Sequence, residues 1–182
     1  HNADLPAQSG LGSSSTFTVG LLNALYGLKN YMPTKRELAL NAIHIEQDLI
    51  KESVGSQDQT AASFGGLNKI KFSKHKIIDV DPILISEKRQ LELQNNLMLF
   101  FTGFARNASD IAKEQIKITL DKKKELKEIF DICSEGFSVL NNKKEPIDRI
   151  GYLLNKQWKI KRNLTDKITN NKIDDIYRVG IR

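Results

Sequence analysis

The chain has 182 residues, 40% of them hydrophobic and 27% charged, with a formal net charge of +6. That length suits one sizeable domain or two small ones, and no apolar run reaches the ~20 residues that a membrane-spanning helix needs. The single cysteine, Cys133, excludes an internal disulfide and fits a reducing compartment, so a cytoplasmic protein is expected. In chain order, Ala3 to Pro6 reads as the end of a strand, and a Gly/Ser turn follows over residues 9–13. Phe17, Leu21, Leu22, Leu25 and Leu28 fall at helical spacing. Gly27 and "NYMPT" close that helix, and Thr34 is placed to cap the next. There, Leu38, Ala42, Ile45 and Leu49 share one face, and "VGSQDQTAASFGG" breaks the period. "LNKIKF" and "KIIDV" alternate as the strands of a hairpin do. Pro82 reads as linker, and "NLMLFFTG" as a buried strand. Helices are expected over 107–118, 122–140, 147–156 and 173–180. A seam near Val80 to Ser86 divides the chain into 1–80, of mixed α/β character, and 81–182, rich in helix.

The positive charge is concentrated in the second half. Lys122, Lys123, Lys124, Lys127, Lys143 and Lys144 form one group, and Lys156, Lys159, Lys161, Arg162, Lys167 and Lys172 another. Such groups suit nucleic acid, an anionic surface or a phosphorylated ligand, and a solvated lysine-rich face is the plainer reading. No helix-turn-helix, zinc or aromatic RNA-binding pattern accompanies them, so no nucleic-acid partner is expected.

Chemistry is concentrated in "SGLGSSSTF" and "IEQDLIKESVGSQDQ". A glycine-rich turn that feeds a helix N-terminus offers unpaired N–H groups and the positive end of the helix dipole, which together favour phosphate. Gly10 and Gly12 let backbone approach closely, and Ser13, Ser14 and Ser15 add hydroxyls. No Gly-Lys-Ser/Thr follows, so this is not the common nucleotide P-loop. Glu46 lies in a helical stretch and Asp58 in the Gly/Ser/Gln-rich turn after it. One such acid can hold Mg²⁺ while the other positions a nucleophile, and each taken singly is a common surface acid. His44 has no ligand-spaced partner and reads as structural.

"PAQSGLGSSSTF" resembles the second signature of the GHMP kinases, and "IE…VGSQDQTAASFGG" fits the acid-bearing block that follows it in that superfamily. Within the superfamily, "FGGLN", "LFFTG", "R-x-AS" and "W-x-x-K" resemble the branch that acts on D-glycero-D-manno-heptose 7-phosphate. The resemblance implies an α+β fold of two α/β domains, with the active site in the cleft between them. It implies ATP and Mg²⁺. Gly10, Leu11, Gly12, Ser13, Ser14 and Ser15 would wrap the ATP phosphates, Ser14 and Glu46 would hold Mg²⁺, and Asp58 would orient or deprotonate the attacking sugar hydroxyl. The expected partner is a small sugar phosphate, not a membrane, and a homodimer is compatible. Arg106, Lys161 and Arg162 are candidates for the sugar's existing phosphate, and the planar guanidinium fork of Arg106 suits phosphate oxygens. The product expected is the 1,7-bisphosphate. The alternatives are another GHMP kinase, of fucose, galactose or mevalonate type, and a noncatalytic basic module that binds an anion or nucleic acid. Gln8 stands where the broad signature has its first glycine. The superfamily's N-terminal and C-terminal signatures are not found, so the sequence reads as part of a longer kinase that opens at His1.

Overall fold

A computed structural model describes residues 10–73, 77–100, 102 and 108–181. The expected strand end before Pro6, Gln8 and Arg106 lie outside these residues. The chain divides into two compact units, His1–Gly66 with Gly103–Glu114 and Leu67–Thr102 with Gln115–Arg182.

The first unit contains α1 (Ser13–Leu28), α2 (Lys35–Ile43), a π-helical turn (His44–Leu49) and α3 (Gln57–Phe64). Thr34 caps α2 as expected. Its hydroxyl accepts from the Glu37 N–H, and the Glu37 carboxylate accepts from the Thr34 N–H, so two orphan donors are satisfied reciprocally. Val19, Leu38 and Ala42 form the apolar core, with Leu22, Tyr26 and Ala62 packed against it. The inward face of α1 is therefore Ser15, Val19, Leu22 and Tyr26. Phe17, Leu21, Leu25 and Leu28, expected inside, are exposed. That helix carries apolar residues on nearly every side, so periodicity alone selects no face.

The π turn explains a second departure. The Ile50 N–H reaches the Ile45 carbonyl at 2.8 Å, an i→i+5 bond that inserts one residue into the helical turn. The face defined by Leu38 and Ala42 continues to Glu46, at the same four-residue spacing, but consequently not to Leu49, which is exposed. A third departure is that "QDQTAASF" is helical, so Asp58 lies in the first turn of α3 rather than in a loop.

The second unit contains β1 (Asn68–Phe72), β2 (Ile78–Pro82), α4 (Glu87–Asn95), α6 (Lys123–Asn141), α7 (Asp148–Lys161) and α8 (Asn171–Gly180); α5 (Ala108–Ile118) runs across the boundary between the two ranges. The expected hairpin is present, antiparallel, with Ile70 opposite Val80. Pro82 closes β2 instead of lying in a linker, a position at a strand end where its missing N–H is tolerated. Ile132, Val139 and Leu153 form the core, with Ile150 and Ile160 against it. Arg89 of α4 is buried, and its guanidinium donates to the carbonyls of Val139, Leu140 and Glu145 at 2.6–2.9 Å. It satisfies the orphan carbonyls at the end of α6 and opposes the negative end of that helix dipole.

"NLMLFFTG" is not a strand among the described residues. Leu97, Met98, Leu99 and Phe100 are irregular and exposed. An apolar run becomes a strand only with a ladder partner, and the one sheet described has two strands. Apart from half-buried Lys122, the first lysine group lies on exposed helix surface and in exposed turns, with Lys122 paired to Glu125 and Lys127 to Asp131. No described helix is long and apolar enough to cross a membrane.

Candidate active site

The glycine-rich turn has the backbone that its sequence requires. Gly10 has φ +77° and Gly12 φ +69°, left-handed values that other residues adopt only at a cost. Gly12 is the residue before α1, and no side chain caps that helix start. The N–H groups of the first turn, over Ser13, Ser14 and Ser15, therefore have no capping side chain and point out of the helix end, where an anion is favoured.

Gly12 and Asp58 meet. A Cβ built on Gly12 would lie 3.1 Å from Asp58 Cγ and 3.2 Å from its Oδ2. The absence of a side chain at Gly12 is what admits the Asp58 carboxylate against the turn. Asp58 is itself exposed, in the first turn of α3, where a negative charge suits the helix dipole.

Behind this pair lies a buried polar cluster. Among the described residues the largest fully buried side chains are Gln59, Glu46 and Thr60, none of them apolar. The Ser15 hydroxyl donates to Glu46 Oε2 at 2.8 Å, and the Gln59 amide donates to the same oxygen. Glu46 Oε1 is buried with no hydrogen-bond partner among the described residues, and so is Gln59 Oε1. A buried carboxylate oxygen without a partner costs free energy, so its retention points to use rather than to packing. The π turn that carries Glu46 is itself a geometry frequent at functional sites. Gln47, on the same turn, donates to the Val54 carbonyl and to Ser56 Oγ at 3.0 and 3.2 Å, which fixes the approach to α3.

The expected site residues thus divide. Gly10 to Ser15, Glu46 and Asp58 come together in the first unit. Of the serines, Ser15 bonds Glu46, while Ser14 is exposed and its carbonyl accepts from the Thr18 hydroxyl. His44 is exposed and bonded to Asp48. Lys161 and Arg162 belong to the second unit. Lys161 is exposed at the end of α7, and Arg162 donates to Asp174 at 2.8 Å, an ion pair that occupies part of its guanidinium. Trp158 packs on Tyr177, with ring centroids 6.1 Å apart. Gln59 and Gln47 were not anticipated from sequence. The only available sign was glutamines crowded around the acids in "IEQ" and "SQDQ".

Residues 1–66 match the model of the GHMP kinases N terminal domain, the stretch that contains all of this cluster. Residues 1–66 thus carry a GHMP kinase N-terminal domain. The chain is 32% identical over 184 residues to a D-glycero-alpha-D-manno-heptose 7-phosphate kinase of Campylobacter jejuni, covering 98% of this chain and 53% of that protein. It is 24% identical to a bifunctional fucokinase/GDP-fucose pyrophosphorylase of Arabidopsis thaliana, over 96% of this chain and 17% of that one. The crystal structure of a D-glycero-D-manno-heptose 1-phosphate kinase from Bacteroides thetaiotaomicron matches with a TM-score of 0.72 at 26% identity, over 87% of this chain and 46% of that one. The chain spans about half the length of the Campylobacter relative. The expected α+β GHMP kinase fold agrees with this likeness and with the mix of helices and a small sheet.

Proposed function

We propose that the protein transfers the γ-phosphoryl group of ATP to a hydroxyl of a small sugar phosphate. The observation that carries this reading is the meeting of the two motifs: the Gly12 turn lies against Asp58, and Ser15 of the same turn reaches Glu46. Phosphoryl transfer needs positioning and charge stabilisation more than covalent chemistry. The turn from Gly10 to Ser15 would bind the phosphates through backbone N–H groups at the start of α1. Asp58 would accept the proton of the attacking hydroxyl as its oxygen bonds to the γ-phosphorus and the bond to the ADP oxygen breaks. Glu46, with its unpartnered Oε1, and Ser14, the neighbour of Ser15 in the glycine-rich turn, would hold Mg²⁺, a hard cation that takes one or two protein oxygens and completes its shell with substrate phosphates and water. Bound there, Mg²⁺ would neutralise charge on the phosphates.

As substrate we favour D-glycero-D-manno-heptose 7-phosphate, phosphorylated at the anomeric hydroxyl to the 1,7-bisphosphate. The Campylobacter relative, named for that sugar phosphate, supports this reading. Lys161, Arg162 and Arg106 remain candidates for the sugar's existing phosphate. The fucokinase relative supports a second reading, a kinase for an unphosphorylated sugar. A coupled assay of ADP release on the full-length protein separates them, run with heptose 7-phosphate, heptose 1-phosphate, fucose and galactose. The first should give the highest kcat/KM. A preference for fucose or galactose would replace the primary reading with the second, and no ADP release with any sugar would reject both.

A further inference from the structure

We propose that Gln59 and Ser15 are positioning residues that together orient the Glu46 carboxylate for a metal ion; this rests on the reading of Glu46 as a metal-holding group. Both side chains donate to one oxygen, Oε2, from opposite sources: Ser15 from α1 and Gln59 from α3. The carboxylate is 1% exposed and Gln59 0%. A carboxylate held by two donors on one oxygen cannot rotate about its last bond without breaking both. Its other oxygen is thereby kept in a fixed direction and kept free, and Oε1 has no partner among the described residues.

The same two bonds tie the π turn to α1 and to α3. Gln59 is the residue after Asp58, so one turn of α3 carries the acid that faces Gly12 and the amide that holds Glu46. Ser15, likewise, is part of the turn that faces Asp58. Glu46 and Asp58 are in this way indexed to each other through two short paths, each with a hydrogen bond to Oε2, so a shift of α3 disturbs both. Second-sphere donors that orient a ligating group typically change metal affinity about 10–100-fold when removed. Gln59 cannot be explained as core filling, because a methionine of similar volume would fill the space without a buried, unsatisfied amide oxygen.

The test uses full-length protein and Mn²⁺ in place of Mg²⁺, with bound metal counted by electron paramagnetic resonance in the presence of a non-hydrolysable ATP analogue. Gln59→Met keeps the volume and removes the donor; Ser15→Ala removes the other donor; Ser15→Thr keeps the hydroxyl. Gln59→Met and Ser15→Ala should each weaken Mn²⁺ binding by about 10–100-fold, and Ser15→Thr should restore most of the loss. Metal affinity unchanged in both donor-deleting variants, with only a lowered thermal midpoint, would mean a purely structural role and would overturn the inference. Should Gln59→Met not fold, the Ser15→Ala and Ser15→Thr pair decides by itself. Glu46→Gln separates the two levels. If it binds Mn²⁺ as the wild type does, the metal reading of Glu46 fails and this inference with it. If Glu46→Gln loses the metal while the donor variants keep it, only the positioning role fails.

Discussion

Gly12→Ala and Gly10→Ala form a matched pair of perturbations. Both residues have φ near +70°, at +69° and +77°, so an alanine at either meets the same left-handed penalty, about 1–2 kcal/mol. In a chain of 182 residues that corresponds to a fall in Tm of about 2–8 °C. The surroundings differ. A Cβ on Gly10 would meet nothing within 4 Å, whereas one on Gly12 would lie 3.1 Å from Asp58 Cγ, closer than ordinary packing allows. Asp58 is exposed and can yield by a few tenths of an ångström, so the steric contribution to stability is small. The effect on turnover is larger, because a displacement of about 1 Å at a reacting group can cost on the order of 10²-fold. We expect Gly12→Ala to lose about tenfold in kcat beyond any loss in Gly10→Ala, at similar Tm. Thermal denaturation and steady-state kinetics on the two variants provide the comparison. Equal kcat in both variants would refute the claim that the Gly12 vacancy serves to seat Asp58.

Asp58→Asn should keep ATP binding, read by calorimetry, and lose about 10²–10⁴ in kcat, the usual contribution of a positioned base; near-normal turnover would remove Asp58 from the chemistry. Lys161→Ala should raise KM for heptose 7-phosphate and leave the unphosphorylated heptose nearly unaffected, whereas equal effects on both would show that the phosphate is read elsewhere. Arg89→Met should destabilise by about 3 kcal/mol or more, since three bonds from one charged group are lost; a denaturant midpoint close to wild type would contradict this. The Thr34 backbone N–H, followed by the Thr34 and Tyr31 hydroxyls, holds the Glu37 carboxyl below its ordinary range. That stabilisation is present above the unfolded value of about 4.3 and disappears as pH falls through the lower folded value. Glu37→Gln should therefore be less stable than wild type near neutrality, and the gap in Tm should close in acid; a constant gap from pH 7 to 3 would argue against the capping box as its source.

What could be read from sequence was mostly local. Thr34 with Glu37, the hairpin from Asn68 to Pro82 and the four C-terminal helices follow from spacing and cap chemistry within a few residues. The long-range parts could not be read in this way. Nothing in "SSS" tells which hydroxyl turns inward, because that depends on the phase of α1 against α2; the structure selects Ser15 for Glu46. The packing of Asp58 onto Gly12 depends on two helices meeting, and no period in either segment encodes it. Phe17, Leu21, Leu25 and Leu28 misled because α1 is apolar around most of its circumference. "NLMLFF" misled because hydrophobicity supplies a strand's side chains but not its neighbour.

The π turn at His44–Leu49 makes the site depend on counting. An α-helix that gains one residue becomes a π turn, and one that loses it relaxes back, with every later side chain rotated by about 100°. Glu46 follows Leu38 and Ala42 at four-residue spacing and faces inward in either register; what the extra residue sets is the stretch after it, from Gln47 to the start of α3. Substitutions along this stretch leave that register intact as long as the surplus residue stays, so the segment can drift in composition. A single-residue deletion between Glu46 and Ile50 would rotate the approach to α3, and with it Asp58 and Gln59, away from Gly12 and Glu46 without altering any of the candidate site residues. The vulnerability of this stretch lies in its length rather than in its letters.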